Sequence, residues 1–275
     1  MKKIAILGPK GTYSELAADK YVKNLNEEYE YVYYPTILKA IDAVDENTIA
    51  VVPYENSLDG FIIETLDRIM LRGLNISKQI KISIDFAFVA NVSDIKDVKN
   101  TFCQFKSYGQ CLGFLSDKNF KVTKTESNIE SYDLLMASSK GNGAVIPMHA
   151  LKEGTFPLEV KHISDRSNNE TRFVVLDNNS TNEIGDNIEC SLVFNSIHDR
   201  PGILYEILSK FHDANINLKS IMSRPDKTGM GNYNFFIECS LSKNERDEFK
   251  KILDEYRHET NFKVDVLGVY ESLGE

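Results

Sequence analysis

Short apolar runs and helical repeats alternate along the first part of the chain. Residues 3–7 are an apolar run stopped by Gly8-Pro9, which predicts a first strand. Thr12-Tyr13-Ser14-Glu15 puts a hydroxyl at a cap and a carboxylate three residues on. That spacing predicts a capping box and a helix running to about Val22. A strand follows over 30–34, then a helix capped by Thr36 with Ile37, Leu38, Ile41 and Val44 on one face. A β-branched strand over 48–53 ends at Pro53, and Ile62 to Leu71 repeat with helical period. The order βαβαβα predicts a mostly parallel sheet covered on both faces.

Ile80, Ile82, Ile84, Phe86 and Phe88 then alternate with Lys81, Ser83, Asp85 and Ala87, which predicts one long strand. A second α/β set comes next: strand 101–103, helix 107–116, strand 120–124, helix 128–139 and strand 143–147. The chain returns through Val160–Ile163 to the apolar run Phe173–Leu176. Two α/β lobes with a cleft between them follow from this order. Residues 177–187 are polar and without period, a linker that separates residues 1–178 from 188–275. Beyond it the pattern predicts strand 189–197, helix 201–214, strands 217–223 and 231–240, helix 244–257 and strand 262–270. That is the ferredoxin-like βαββαβ order.

The 275 residues suffice for two domains. The net charge of −9 and the lack of a basic stripe argue against a nucleic-acid partner. No apolar run reaches the roughly 18–20 residues that span a bilayer, and the apolar start is too short for a signal segment. The expected location is the cytoplasm, with no membrane partner. Cys103, Cys111, Cys190 and Cys239 lack paired spacing and the five histidines do not cluster with them. Buried free thiols are expected rather than a metal site or a disulfide framework.

Three segments carry candidate chemistry. Gly8-Pro9-Lys10-Gly11-Thr12-Tyr13-Ser14 joins a strand to a helix and aims backbone N–H groups at a ligand. It lacks the glycine spacing of a Walker loop, and it would also serve as a capped turn. Pro53-Tyr54-Glu55-Asn56-Ser57-Leu58-Asp59-Gly60 follows a strand, where ligands gather in such sheets. In Thr171-Arg172-Phe173 a hydroxyl stands beside a guanidinium, a pairing suited to a carboxylate-bearing substrate or to an ordinary strand start.

GPKGTYSELAA, VPYENSLDGFIIETLD and NNETRF in this order, followed by a βαββαβ domain, resemble the prephenate dehydratases with a C-terminal ACT regulatory domain. The resemblance covers essentially the whole chain. It implies an α/β, two-lobed, periplasmic-binding-protein-like catalytic domain and an active site in the cleft. It also implies loss of water and carbon dioxide from prephenate to give phenylpyruvate, with neither metal nor organic cofactor. By the same resemblance Thr171, Asn56 and Ser57 are catalytic, and Thr12, Ser14, Glu55, Gln110, Ser127 and Arg172 bind substrate. Strand alternation leaves open that Arg172 points away from Thr171. The chain departs from the family's usual pattern at Gln104-Phe105-Lys106 (commonly His-Pro-Gln), at Asp85 (commonly His), at Asn128 (commonly Thr) and at Tyr54 (commonly Ile).

Asp199-Arg200-Pro201-Gly202-Ile203-Leu204, Asn217-Leu218 and Ser223-Arg224-Pro225 resemble ACT signatures, with Met222 where a Glu is usual. The resemblance implies phenylalanine held by Gly202, Leu204, Asn217, Leu218 and Ser223 at an interface between subunits of a homodimer or homotetramer. A dimerisation module without ligand, an arogenate dehydratase, a non-aromatising decarboxylase and a non-catalytic amino-acid sensor share this outline.

Overall fold

The computed structural model describes residues 2–25, 27–118, 120–178, 187–196, 200–226, 233–259 and 262–273. The first lobe opens with β1 (Lys2–Leu7), α1 (Tyr13–Lys23), β2 (Tyr29–Tyr34), α2 (Ile37–Asp42) and β3 (Thr48–Asn56). It continues through β4 (Gly60–Phe61), α3 (Ile63–Arg72) and β5 (Asn75–Ser83). The second lobe holds β6 (Phe86–Ala90), β7 (Asn100–Gln104), α4 (Phe105–Gln110), α5 (Leu112–Ser116), β8 (Lys121–Thr125), α6 (Asn128–Ala137), β9 (Asn142–Pro147) and β10 (Leu158–Val160). The chain returns to the first lobe as β11 (Glu170–Asp177). The strand orders match: β2-β1-β3-β11-β5 in one lobe and β8-β7-β9-β6-β10 in the other. In each, three parallel strands are followed by two antiparallel ones. The two-lobed α/β expectation is met, with the lobes joined by the β5–β6 and β10–β11 crossings.

The expected long strand over 80–88 is two strands in two sheets. The ladder stops because its backbone groups are taken from outside the strand. Ile84 N–H donates to Asn169 O at 2.8 Å, and the Asp85 carboxylate accepts from Phe86 N–H at 2.8 Å and from the Ser164 hydroxyl at 2.7 Å. The Tyr13 hydroxyl donates to Asp85 O. The expected helix 107–116 is likewise two short helices broken at Cys111. The Asp165 carboxylate takes the Gly113 N–H at 3.0 Å and starts the second piece. The capping box at Thr12 also differs. Thr12 Oγ1 donates back to Leu7 O at 3.2 Å, while the Glu15 carboxylate accepts from Gly11 N–H and from the Tyr33 hydroxyl. Thr36 caps α2 as expected, accepting from Lys39 N–H.

The C-terminal part is β12 (Asn187–Ser196), α7 (Ile203–Asp213), β13 (Leu218–Pro225), β14 (Tyr233–Ser242), α8 (Arg246–His258) and β15 (Phe262–Leu273), the expected βαββαβ order. Its antiparallel sheet runs β13-β14-β12-β15. Most of the linker lies outside the described residues. β15 overshoots this sheet, and Glu271–Leu273 pair in parallel with Lys78–Ile80 of β5. One 10-stranded sheet therefore runs through both parts. Alternation along β11 divides its apolar residues. Phe173 and Val175 join the cluster around Ile4, Ile6 and Val51. Val174 and Leu176 join Tyr54, Val193, Phe236 and Tyr270, an apolar cluster shared by the first lobe and the C-terminal sheet. Among the described residues no helix is long and apolar enough to cross a membrane.

Candidate active site

Three strand-to-helix junctions and one strand-to-strand turn open on the space between the lobes: β1–α1 and the β3–β4 turn from one side, β7–α4 and β8–α6 from the other. Ligands in open α/β sheets collect beyond such strand ends. The cavity there measures about 540 Å³, and Thr12, Tyr13, Ser14, Asn56, Phe86, Lys106, Gln110, Ser127 and Thr171 line it.

Asn56 and Thr171 are direct partners across the antiparallel β3–β11 pair. Asn56 Nδ2 donates to Thr171 Oγ1 at 2.9 Å, to Asn169 Oδ1 at 2.8 Å and to Glu170 O at 3.2 Å. Its Oδ1 accepts from the N–H groups of Leu58 and Asp59, which fixes the amide's orientation. Asn169 Nδ2 passes the chain of bonds on to Gln110 Oε1 at 3.1 Å, so residues from both lobes share one network. Asn56 and Thr171 are each 8% exposed, and Asn169 1%. Thr171 Oγ1 is an acceptor in this network, and its own proton has no acceptor among the described residues.

A register shift next to this pair decides where its neighbours point. Arg172 faces Glu55 but Phe173 faces Pro53, leaving Tyr54 as the extra residue of a β-bulge. Asn56 and Pro53 both face the cleft, while Glu55 and Tyr54 lie on the far side with Arg172. Arg172 Nε lies 2.7 Å from Glu55 Oε2, Nη2 2.7 Å from Glu238 Oε2, and Nη1 donates to Gln79 Oε1 at 3.2 Å. The guanidinium stacks over Tyr54 and Phe61, 5.2 and 5.5 Å from the ring centroids. Burial alone would lower its pKa, but Glu238 and Glu55 outweigh that and raise it. The expectation that Arg172 and Glu55 meet substrate is corrected here: Glu55 is spent on Arg172, and Arg172 on Glu55 and on Glu238 of the C-terminal domain.

Ser57 is exposed and does not line the cavity. Its Oγ accepts from Glu170 N–H at 3.0 Å, so it clamps the 168–170 turn behind the network. Ser14 lies buried in the first turn of α1, and Ser127 caps α6 by accepting from Glu130 N–H at 3.0 Å. Thr12, Ser14 and Ser127 bring the N-terminal ends of α1 and α6 to the cavity from opposite lobes, which favours a ligand with negative charge. The sequence pattern alone does not single out Tyr13, which lines the cavity, or Asn169, which links Asn56 to Gln110. Asn169 sits inside the NNETRF segment, and its neighbours in that motif are the signal that could have found it. The cysteines are free and buried, and burial pushes the Cys103 thiol up to about 12, so it stays protonated. Among the described residues no three His, Cys, Asp or Glu side chains gather as metal ligands.

In the C-terminal domain Gly202 caps α7 with φ +90, a conformation that favours glycine, and Leu204 packs against the domain core. Leu218 and Ser223 lie five residues apart on β13, about 17 Å at the usual strand rise. Asn217 stands just before Leu218. One chain therefore does not gather all five residues around one small molecule.

Comparison with known proteins gives a consistent result. Residues 4–181 match the family described as prephenate dehydratase, and residues 191–255 the ACT domain. The prephenate dehydratase of Methanocaldococcus jannaschii is 30% identical over 265 residues, 95% of each chain. The crystal structure of the prephenate dehydratase from Staphylococcus aureus is similar with a TM-score of 0.81 and 29% identity, over 98% of this chain and all of that one. The prephenate dehydratase of Arthrobacter aurescens, solved in complex with L-Phe, is alike in fold, with a TM-score of 0.78 at 23% identity over 98% of this chain and 90% of its own.

Proposed function

Because the chain belongs to the prephenate dehydratase family, we propose that it is a lyase converting prephenate to phenylpyruvate, with Thr171 and Asn56 at the reacting centre. In this reaction the bond to the ring carboxylate breaks and its electron pair enters the ring. The ring hydroxyl leaves with the electrons of its C–O bond and takes up a proton from solvent, giving carbon dioxide, water and an aromatic product. The driving force is built into the substrate, so the protein's task is to orient it and to stabilise the departing oxygen. The observation that carries the reading is the 2.9 Å bond from Asn56 Nδ2 to Thr171 Oγ1. With its oxygen already accepting from the amide, the hydroxyl is set to donate a hydrogen bond to the leaving group. A threonine hydroxyl is too weak an acid to give that proton up outright, so its contribution is the hydrogen bond. Thr12, Ser14, Ser127 and Gln110 are assigned to holding the substrate from the two helix ends and the shared amide network.

We assign residues 1–178 to catalysis and 188–275 to regulation by phenylalanine, in a cytoplasmic homodimer or homotetramer. The ACT match supports this, and so does the spread of Gly202, Leu204, Asn217, Leu218 and Ser223, which calls for a second copy to complete a site. β13 is an edge strand. The Arthrobacter aurescens protein of the same fold holds L-Phe. The test is to mix the protein with prephenate and follow phenylpyruvate with and without phenylalanine. Product that falls on adding phenylalanine supports both assignments. Product indifferent to phenylalanine removes the regulatory one, and no product from folded protein removes the catalytic one.

A further inference from the structure

The proposed substrate is a dianion, and Arg172, the cation nearest to Thr171 in sequence, faces away from the cleft. The cavity lining holds three carboxylates, Asp59, Glu64 and Glu126. Against them stands Lys106, which is the only lysine or arginine among the described lining residues. We infer that Lys106 binds the pyruvyl carboxylate of the substrate, an inference that rests on the reaction proposed above.

Three observations place it. Lys106 is exposed and lines the cavity, and its ammonium has no ion pair or hydrogen bond among the described residues, so the charge is available to a ligand. It lies one helical turn before Gln110 on α4, and residues four apart share a helix face. Gln110 is joined through Asn169 to Asn56, so that face looks toward the Thr171 network. The local backbone is also fixed: Gln104 Oε1 accepts from Lys106 N–H at 2.7 Å and from Ser107 N–H at 3.2 Å.

Chemistry decides which carboxylate it holds. The ring carboxylate must give up its charge as carbon dioxide leaves, and a cation bound to it would hold that step back. The pyruvyl carboxylate keeps its charge from substrate to product. A cation there binds substrate and transition state alike, so it lowers KM and leaves kcat unchanged.

The test compares wild type with Lys106→Met and Lys106→Arg in two assays. In turnover of prephenate, Lys106→Met is expected to raise KM roughly ten-fold, the scale of one charge-assisted hydrogen bond, with kcat within about three-fold. Lys106→Arg is expected to recover most of the affinity. In equilibrium binding, phenylpyruvate, which retains the pyruvyl carboxylate, is expected to bind Lys106→Met about ten-fold more weakly. A changed kcat with phenylpyruvate binding unaltered would move Lys106 to the ring carboxylate and overturn the assignment. Unaltered KM and unaltered phenylpyruvate binding would remove it from the site. Should wild type fail to turn over prephenate, the proposed reaction falls, and phenylpyruvate binding still reads whether Lys106 holds a pyruvyl carboxylate.

Discussion

Arg172 Nη2 and Glu238 Oε2 lie 2.7 Å apart across the junction of the two domains, one residue along β11 from Thr171 and on the opposite face of the strand. Glu238 is 2% exposed, and its other oxygen accepts from Ser191 Oγ at 3.1 Å and Tyr270 Oη at 3.3 Å. A buried carboxylate stripped of its cation is costly. Arg172→Met should therefore lower unfolding free energy by about 3–5 kcal/mol. Glu238→Gln keeps an acceptor for the two hydroxyls and leaves Arg172 paired with Glu55, so its cost should be nearer 1–2 kcal/mol. Urea denaturation of the two variants checks this. Equal stabilities would mean that the pair does not hold the junction.

Thr171 and Asn56 make a sharper prediction about rate. Thr171→Ala removes one preorganised donor and should reduce kcat by about 10²–10³-fold. Thr171→Ser keeps the O–H and should stay within about ten-fold of wild type. Asn56→Asp replaces the amide donor with an acceptor that captures the Thr171 proton, so it should fall with Thr171→Ala despite its small change in shape. Steady-state rates on protein with unchanged melting temperature separate these effects from misfolding. Full activity in Thr171→Ala would end the role given to this hydroxyl.

Asp85 ties acid stability to the β5–β6 crossing. Burial would raise its pKa, but His162, the Ser164 hydroxyl and the Phe86 N–H outweigh it and hold its carboxyl below the usual range. A carboxyl whose folded pKa is lowered contributes stability in full above its unfolded pKa, about 3.9, and loses it as pH falls through the lower folded value. Asp85→Asn should therefore melt below wild type at pH 7, and the gap should close on acidification below about pH 4. Paired melts across that range test it. A gap that does not change with pH would mean that the charge of Asp85 contributes nothing.

What the sequence made legible follows from how far each cause lies along the chain. Periodicity sufficed for α3 and α8, whose apolar faces are local. It also read straight through Ile84-Asp85, because β5 and β6 each alternate in their own sheets. The break is made by Tyr13, Ser164 and Asn169, far away in sequence. The bulge at Tyr54 is equally invisible, since no residue type marks it, yet it sends Glu55 and Arg172 away from the cleft. In sequence Arg172 stands beside Thr171 like a substrate anchor, because its partner Glu238 lies 66 positions further on, in another domain. Asn56 and Thr171 each stand in a motif, but their mutual hydrogen bond emerges only from strand register.

Gly268 offers a test of how the two domains are joined. A Cβ there would lie 2.3 Å from Ile76 O and 2.8 Å from Ile76 Cβ, contacts with the body of β5 that no rotamer relieves. Three residues further along, Glu271 begins the parallel pairing of β15 with β5 that carries one sheet through both domains. Because Gly268 lets β15 lie against β5, Gly268→Ala must push the strands apart or bend one of them, at a cost of at least about 1–3 kcal/mol. The loss should be concentrated at the junction. Wild type, with a continuous sheet and a shared apolar cluster, is expected to unfold in urea as one transition. Gly268→Ala should split it, because each domain keeps most of its own core while the strand pairing and the Arg172–Glu238 bond between them weaken together. A single unshifted transition in the variant would show that β15 and β5 tolerate the extra methyl and that the junction is held elsewhere.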